Sequence, residues 1–297
     1  MTAVEFTEPA MRPPQEVRSI LPRATQGCTY NECNFCYVSR GYPFRAVSPE
    51  QMEAELIALK PLYPENAAIY LTGSNPFALS TDTLKSYLEV ARRQIPNFSG
   101  FSMQTRINDL TAKSLSDLKD LRDLGLSHLY TGTENGSDFA LKIMNKGHTA
   151  QEAVEQLLRL DEVGIEYVTF YILGMAGRGY GQDSGLATAA MFNQVHPRRI
   201  TTTGMTIFPN TPVFDMLNKG EFTEASEKEK IEELLIFLEH LTTDTFFDAV
   251  HYLNPLNYRF QTSSGKDGVI SEIKMFLLEH SEEVIEKMVR RNLMRSL

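Results

Sequence analysis

Strand-like and helix-like segments alternate along this chain from about residue 18 to about residue 217. Each strand candidate is a short run rich in β-branched, aromatic or other apolar residues, and a loop and a helical pattern follow it. This order favours parallel strands, because parallel neighbours need a long crossover connection rather than a tight hairpin. We therefore predict an α/β fold, a partial (β/α)6 TIM-like barrel, with the strands SILPRAT, AAIYLTG, FSGFSMQT, HLYTGTE, IEYVTFYILG and RITTTGMTIF.

Several helices have readable ends in the sequence. Ser48 to Gln51 has the pattern of a capping box with proline at the first helical position, and Thr149 with Glu152 repeats the box. Gly125 and Gly164 stand where two helices should end, because glycine adopts the left-handed backbone conformation at low cost. These boundaries support the alternation on which the barrel prediction rests.

The sequence pattern changes after Pro212. A charged helix candidate, EASEKEKIEELLIFLEHL, is followed by a loop that contains Pro255 and TSSGKDG and then by a final helix. We predict two domains, a barrel over residues 18–217 and a helical C-terminal extension over residues 218–297 that acts as a lid or brace. One apolar stripe of the charged helix marks its buried face: Ile231, Leu234, Leu235, Leu238 and Leu241.

Charge and hydropathy exclude some partners. Lys and Arg number 29 and Asp and Glu number 38, which gives a net charge of −9. A negative protein repels the phosphate backbone unless basic residues gather locally, so a nucleic-acid partner is not expected. No apolar run reaches the roughly 18 residues of a membrane span, and the first residues, MTAVEFTEPAMRPPQEV, lack the layout of a secretory signal. We expect a cytoplasmic protein without a membrane partner.

The three cysteines of the chain, Cys28, Cys33 and Cys36, lie within nine positions. An odd number cannot form a disulfide framework, and cysteines this close would cross-link only very small loops. Thiolates are the soft ligands of zinc and of iron–sulfur clusters, so the C-x4-C-x2-C spacing favours a metal centre in a reducing compartment.

Four interpretations of these thiols are open. Inert buried cysteines are one, and a zinc site is another, with a fourth ligand such as His128 or His148 that shows no zinc-finger spacing. A plant-type [2Fe–2S] cluster shares the spacing, but it needs a fourth cysteine that the chain lacks. The fourth interpretation is a [4Fe–4S] cluster in which Cys28, Cys33 and Cys36 hold three irons and one iron is left for an exogenous ligand.

At this motif the chain resembles the radical S-adenosylmethionine (radical SAM) superfamily, whose usual pattern is C-x3-C-x2-C with an aromatic residue before the last cysteine. Phe35 matches the aromatic residue, and the first gap is one residue longer here. The resemblance implies that S-adenosylmethionine (SAM) binds the open iron through its amino and carboxylate groups. It also implies that an electron from the reduced cluster cleaves SAM to a 5′-deoxyadenosyl radical, which abstracts hydrogen from a substrate.

The resemblance places further SAM-binding groups at the carboxyl ends of the barrel strands. After the second strand, a backbone carbonyl of Thr72 or Gly73 would receive the SAM amino group, as the corresponding segment does in relatives of coproporphyrinogen oxidase. At the end of the third strand, Gln104 or Arg106 would face SAM. A simple proline turn and a solvated strand end are the structural alternatives at these two places.

The fourth strand leads into GTENGSDFALKIMNKGHT, which resembles the G-x-E-x-G-S…L…N-K-G segment of the oxygen-independent coproporphyrinogen oxidase and methylthiotransferase groups. The likeness implies that Glu134 accepts hydrogen bonds from the SAM ribose and that Lys146 pairs with the SAM carboxylate. Ser137 is a candidate N-cap of the following helix. The fifth strand resembles the superfamily's apolar strand that ends in glycine, which implies that Gly174 lies near the adenine. Thr169 to Tyr171 occupy the part of that strand where relatives often carry an acid.

The resemblance implies that one cluster uses all three cysteines, and we expect no second domain for cobalamin. The resemblance therefore implies a single-cluster enzyme that acts on a small organic molecule, with electrons from a low-potential donor such as flavodoxin or ferredoxin. Its reaction could be an oxidation, a methylation or a rearrangement, and no catalytic residue is assigned. The alternatives are a non-catalytic heme-binding chaperone on the same barrel, for which His251 is the nearest ligand candidate, and a zinc–thiolate protein.

Overall fold

The computed structural model describes residues 6–251, 253–289 and 291, so parts of the predicted extension at 252, 290 and 292–297 lie outside the described residues. The helices in these ranges are α1 (Pro49–Leu59), α2 (Thr81–Gln94), α3 (Ile107–Thr111), α4 (Leu115–Asp123), α5 (Asp138–Ile143), α6 (Ala150–Val163), α7 (Gly181–Phe192), α8 (Pro212–Asn218), α9 (Glu227–His240), α10 (Thr262–Glu279) and α11 (Glu282–Met288). The strands are β1 (Thr25–Gln26), β2 (Arg45–Ala46), β3 (Ile69–Leu71), β4 (Phe101–Arg106), β5 (Leu126–Glu134), β6 (Glu166–Leu173), β7 (Arg199–Gly204), β8 (Phe246–Asp248) and β9 (Arg259–Gln261). Among the described helices, none is long and apolar enough to cross a membrane.

Strands β3 to β9 form one seven-stranded sheet in the order of the sequence. The pairs β3–β4, β4–β5, β6–β7 and β7–β8 are parallel, and β8–β9 is antiparallel. Helices follow β3, β4, β5, β6 and β7 along the chain, as crossovers between parallel strands require. The predicted α/β class with a mostly parallel sheet is confirmed.

The first predicted strand, SILPRAT, is not a regular strand. It forms two isolated parallel bridges with the segment that contains β3, Ile20 with Ile69 and Arg23 with Thr72. The Pro22 carbonyl accepts a hydrogen bond from the Thr72 N–H at 2.9 Å. Pro22 donates none to the neighbouring strand, because proline has no backbone N–H. The prediction of a full first strand was therefore wrong in regularity, although the segment does run beside β3.

The predicted helical extension is not purely helical. Strand β8 adds to the sheet parallel to β7, and β9 returns antiparallel to β8. Asp248 of β8 is buried and accepts hydrogen bonds from Arg199 at 2.5 Å and from Arg259 at 3.0 Å. Strands of three residues carry too little periodicity to stand out in a sequence, which explains why both were missed.

The predicted helix boundaries are confirmed. Ser48 and Gln51 exchange both hydrogen bonds of a capping box at the start of α1, and Thr149 and Glu152 do the same before α6. The φ angles of +110° at Gly125 and +72° at Gly164 place both glycines in the left-handed region. These local signals were sufficient because caps involve residues within four positions of one another.

Two compact units contain these elements. The first comprises the residues up to Asn31, then Val38–Gly132 and Arg159–Tyr167. The second comprises Glu32–Tyr37, Thr133–Leu158 and the residues from Val168 onward. The predicted domain division between residues 217 and 218 rests on the sequence pattern, whereas the two units are defined by contacts within the structure. The predicted division stays a prediction.

A buried carboxylate organises the polar part of the first unit. Glu16 is 4% exposed and accepts hydrogen bonds from the hydroxyls of Tyr130 at 2.8 Å, Ser102 at 2.9 Å and Ser19. Nε2 of His128 lies 3.0 Å from the same carboxylate. Burial alone raises the pKa of Glu16, but the contacts with His128, Ser19 and Tyr130 outweigh it and lower the pKa from 4.5 to about 2.

We expect Glu16→Gln to lower the free energy of unfolding by about 3 kcal/mol at pH 7. The reason is that the pKa of Glu16 falls from 4.5 in the unfolded chain to about 2 in the folded protein, and this difference stabilises the folded state by that amount. The folded pKa lies below the unfolded one, so the contribution is full above pH 4.5 and disappears as the pH falls toward 2. Urea unfolding of both proteins at pH 7 and pH 3 measures the difference. Glu89→Gln, at an exposed position of α2, is the control. An equal difference at both pH values would contradict the assignment.

Candidate functional site

The loop that carries the cysteines begins with a tight turn at Gly27. Its φ is +71°, and a Cβ there would lie 2.6 Å from a backbone carbonyl oxygen, so only glycine fits. The Gly27 N–H donates to the buried carboxylate of Glu8 at 2.7 Å, and the Ser39 hydroxyl donates to the same carboxylate at 3.0 Å. Cys28 follows the turn and is partly exposed. Glu8, which lies before the predicted barrel, therefore fixes the chain on both sides of the cysteine motif.

Cys33 and Cys36 belong to the second unit, in a segment held by Asn34. The Asn34 backbone N–H and side-chain amide donate to the carbonyls of Met144 and Ile143, both at 2.8 Å. These carbonyls end α5 and have no partner within the helix, so the loop satisfies them. The Cys36 N–H donates to the Cys33 carbonyl at 3.3 Å and closes a turn. Cys33 is buried and Cys36 is partly exposed.

Three thiols in one loop are the donor set that a [4Fe–4S] cluster needs from a protein that leaves one iron open. Within the described ranges, no three His, Cys, Asp or Glu side chains form a group that could hold a single metal ion. A cubane cluster does not require such a group, because each thiolate binds a different iron. The assignment of Cys28, Cys33 and Cys36 as cluster ligands fits these residues and stays a prediction.

Glu134 occupies a strained turn at the end of β5. Its φ is +66°, and the Asn135 N–H donates to the Thr133 carbonyl at 2.9 Å, which closes a three-residue turn around Glu134. A non-glycine residue in this conformation costs about 1–3 kcal/mol and persists where the surroundings impose it. The turn carries the side chain of Glu134 into a buried position. Strain of this kind is concentrated at functional sites.

Lys146 owes its position to the way α5 ends. Asn145, with a φ of +49°, donates its N–H to the Lys142 carbonyl at 3.0 Å, and the Lys146 N–H donates to the Leu141 carbonyl at 2.9 Å. This pair of hydrogen bonds is a Schellman motif. Its left-handed residue is usually glycine and sometimes asparagine, as here. Ser137 caps the other end of α5 through the Ala140 N–H at 3.4 Å, as predicted. The helix thus carries Lys146 at a fixed offset from the turn at Glu134.

The two predicted SAM-binding residues meet each other and the cysteine loop. Nζ of Lys146 lies 2.9 Å from Oε1 of Glu134, and both side chains are buried. The same Nζ lies 5.6 Å from the centre of the Phe35 ring, within range of a cation–π contact. Phe35 also packs against the core of the second unit. The structure therefore brings together Phe35, Glu134 and Lys146, three positions that the sequence motifs had singled out.

The turn after β3 contains both predicted candidates, Thr72 and Gly73. The Thr72 carbonyl accepts hydrogen bonds from the Ala24 N–H at 3.1 Å and the Thr25 N–H at 3.3 Å, so both lone pairs are used within the first unit. Thr72 as the residue that receives the SAM amino group stays a prediction, and these two contacts do not support it. A Cβ at Gly73 would overlap the Thr25 hydroxyl, which is buried and has no hydrogen-bond partner in the described part of the chain. Gly73 stays a prediction, beside a hydroxyl that a polar ligand group could satisfy.

Gln104 and Arg106 share one face of β4 with Ser102, because side chains two residues apart in a strand project to the same side. Gln104 is half-buried. The guanidinium of Arg106 lies 4.1 Å from the centre of the Tyr30 ring and 3.9 Å from the Asp109 carboxylate. Tyr30 is itself part of the cysteine loop, so Arg106 is in contact with that loop. Both residues stay predicted SAM contacts.

Two of the histidines proposed for the rival interpretations, His128 and His251, already form hydrogen bonds. Nδ1 of His128 lies 2.9 Å from the Ser127 hydroxyl, and its Nε2 contacts Glu16, so neither ring nitrogen is available to zinc. Nδ1 of His251 accepts the Leu253 N–H at 3.3 Å. Burial, followed by the charge of Arg291, lowers the pKa of His251. The suggestion of His128 as a fourth zinc ligand is wrong.

A protein-family profile identifies the family of this chain. The profile described as Radical SAM superfamily matches residues 23–182, which are more than half of the chain. The chain belongs to the radical SAM superfamily. The matched range contains the cysteine motif, Gly73, Glu134, Lys146 and Gly174. A radical SAM enzyme uses a [4Fe–4S] cluster and SAM, and these are the cofactors of this chain.

Relatives of the radical SAM chain agree with the predicted resemblance to coproporphyrinogen oxidase. Heme chaperone HemW of Bacillus subtilis (strain 168) is 22% identical over 174 residues, which are 57% of this chain and 44% of HemW. Coproporphyrinogen III oxidase HemN of Escherichia coli has a TM-score of 0.52 at 16% identity, over 74% of this chain and 52% of HemN. The cobalamin-dependent radical SAM enzyme OxsB has a TM-score of 0.59 at 14% identity, over 74% of this chain and 41% of OxsB.

These structural likenesses show the fold, which in the superfamily is a partial TIM-like barrel. The predicted superfamily and fold class are confirmed. The chain spans roughly half or less of the length of HemW, HemN and OxsB. The activities in their names are therefore statements about those proteins.

We expect Cys33→Ala to lose most of the iron that the protein takes up on anaerobic reconstitution, because one of three cluster thiolates is removed. Iron analysis and the visible thiolate-to-iron absorption band measure the loss. Glu32→Gln, at the neighbouring exposed side chain, is the control and should retain wild-type iron. Full iron content in Cys33→Ala would exclude Cys33 as a ligand.

We expect Glu134→Gln to weaken SAM binding about tenfold to hundredfold, because it removes a charged acceptor and leaves Lys146 without its counter-charge. Equilibrium dialysis of the reconstituted protein against labelled SAM measures the change. Lys142→Gln is the matched control, since Lys142 lies on α5, between Glu134 and Lys146 in sequence, with its side chain exposed. If both variants bind SAM as tightly as the wild type, Glu134 is not a SAM contact.

Proposed function

We propose that this chain uses a single [4Fe–4S] cluster to cleave SAM to a 5′-deoxyadenosyl radical, which abstracts hydrogen from a small organic substrate. The superfamily assignment supports the use of cluster and SAM. The hydrogen abstraction and the size of the substrate are inferences from the site and from the single cysteine motif.

The observation that carries the proposal is the buried contact of Lys146 with both Glu134 and Phe35. One of these residues comes from the cysteine motif, one from the end of β5 and one from the end of α5. A buried ion pair stabilises a protein little, because desolvation of two charges offsets their attraction. The buried pair of Glu134 and Lys146 therefore does not owe its presence to stability, and Glu134 also lies on a strained turn. A ligand that binds both charges explains the pair better than stability does.

Each side chain has a definite task in this proposal. Cys28, Cys33 and Cys36 would hold the cluster, and the bound cluster supplies the electron that breaks a carbon–sulfur bond of SAM. Glu134 would accept the ribose hydroxyls, and Lys146 would bind the carboxylate of SAM as a point charge. Gly174 would lie near the adenine, and its φ of +76° is one that glycine adopts at low cost.

Apolar side chains beside the cysteine loop support an organic substrate and a dry site. Ile172, Ile207 and Met216 are half-buried and pack with Phe35 against the core of the second unit. Such a wall excludes water from a reactive species and offers area to an uncharged substrate. The electron would come from a low-potential partner such as flavodoxin or ferredoxin, and nucleic acid is not an expected substrate because the chain carries a net charge of −9.

We expect the reconstituted protein to release 5′-deoxyadenosine from SAM when dithionite reduces it, because the one-electron cleavage of SAM does not require the natural substrate. Liquid chromatography with mass detection measures the product. Cys33→Ala should release none. An intact cluster with bound SAM that yields no 5′-deoxyadenosine contradicts the catalytic proposal. A shift of the Soret band on heme titration in that case favours the heme-binding alternative, for which HemW is the precedent by name.

A further inference from the structure

Helix α9, in the C-terminal part of the chain, buries a carboxylate against the end of β6. Glu233 is 1% exposed and accepts three hydrogen bonds. The Tyr171 hydroxyl donates at 2.8 Å, the Ser184 hydroxyl at 2.5 Å and the Gly174 backbone N–H at 2.7 Å. Glu233 therefore joins α9 directly to the turn that follows β6.

A second residue of α9 encloses the same turn. Gly174 has a φ of +76°, and a Cβ there would lie 2.9 Å from Cε of Lys230. Lys230 and Glu233 are three residues apart and so lie on one face of α9. Lys230 is buried and pairs with Glu227 at 2.9 Å, so its charge is compensated without a ligand. One face of α9 thus holds Gly174 by packing and by a hydrogen bond.

Glu233 is also linked to the turn after β5. The Ser184 hydroxyl, which donates to Glu233, accepts a hydrogen bond from the Asn135 side-chain amide at 2.9 Å. Asn135 directly follows Glu134, and its side-chain oxygen accepts the Ser137 N–H at 2.8 Å. A displacement of the Glu233 carboxylate would therefore reach the residue next to Glu134 through a single intervening hydroxyl.

Two glycines allow α7 to lie close enough for this connection. A Cβ at Gly136 would lie 2.5 Å from Cα of Thr188 in α7, and a Cβ at Gly185 of α7 would lie 2.8 Å from the Glu233 carbonyl oxygen. Both contacts involve backbone atoms, which cannot move aside as a flexible side chain can. The turn at Glu134, α7 and α9 are accordingly in direct backbone contact.

Glu233 brings an acid to the part of β6 that follows Glu166 and has none of its own. Residues 167–173 of β6 contain no Asp or Glu, and Tyr171 directs its hydroxyl to Glu233 instead. Burial raises the pKa of Glu233 to about 7, while the hydrogen bonds from Ser184, Gly174 and Tyr171 oppose the rise. All three donors favour the ionised carboxylate. A carboxyl group that meets three donors in this position ties α9 to the end of the strand.

We infer that Glu233 is a positioning residue of the SAM site: through Gly174 and through Ser184 and Asn135, it holds the turns after β5 and β6 in the arrangement that binds SAM. The inference rests on the proposed function, since it takes Glu134 and Gly174 as SAM contacts. It makes α9 a part of the cofactor site rather than only a lid or brace.

The test is SAM binding by the anaerobically reconstituted Glu233→Gln protein, measured by equilibrium dialysis. Glutamine keeps the size of the side chain but replaces one acceptor oxygen with a donor. Either the Gly174 N–H or both hydroxyls, those of Tyr171 and Ser184, then lose their acceptor. We expect SAM affinity to fall about tenfold. Leu234→Ala is the matched control, because Leu234 is the buried apolar neighbour on the same helix. It should lower the unfolding temperature, as cavity-forming changes do, and leave SAM affinity unchanged.

Four outcomes of the dialysis are informative. Wild-type affinity in Glu233→Gln overturns the inference, and so does an equal loss in Glu233→Gln and Leu234→Ala, because the effect would then be general destabilisation. A wild-type protein that binds no SAM overturns the proposed function and the inference with it. A selective loss in Glu233→Gln supports both.

Hydrogen exchange of the wild-type protein keeps the inference testable if Glu233→Gln does not fold. Added SAM should slow exchange in the peptide that contains Gly174 and also in peptides of α9. Protection around Gly174 with unchanged exchange in α9 would show that the helix is not coupled to the site, and the inference would be wrong.

Discussion

The ion pair of Glu134 and Lys146 is the interaction on which the candidate site depends. The placement of both residues costs free energy, because Glu134 adopts a left-handed backbone conformation and both charges are buried. Burying an ion costs several kcal/mol, roughly, and mutual attraction repays this only with good geometry. The Schellman motif at the end of α5 and the three-residue turn at the end of β5 provide that geometry from the two sides. Phe35 then ties the pair to the cysteine loop.

Features with short-range causes could be predicted from the sequence. The caps at Ser48, Thr149 and Ser137 are formed within four residues, and the structure confirms each of them. The same holds for Lys146, whose position follows from Asn145 in the left-handed conformation directly after α5. The superfamily could be recognised because its motifs are local as well. The alternation of strands and helices was sufficient for the fold class, since periodicity reflects which side of an element is buried.

The buried acids could not be predicted, because nothing near them in sequence indicates their partners. Glu8, Glu16 and Glu233 meet donors that lie 19, 114 and 59 residues away. In the charged pattern EKEKIEELL, a glutamate on the buried face of α9 resembles its solvated neighbours. The irregular course around Pro22 and the short strands β8 and β9 were missed for a related reason, since neighbouring strands rather than their own residues define them.

The distance along the chain between Gly174 and Glu233 has a consequence for biosynthesis. A nascent chain emerges from the ribosome with its N-terminal part first, and folding begins before translation ends. The cysteine motif, β5 and β6 have all been translated while the acceptor for the Gly174 N–H is still missing. The turns around Glu134 and Gly174 thus gain the contacts that Glu233 makes only after α9 has been translated.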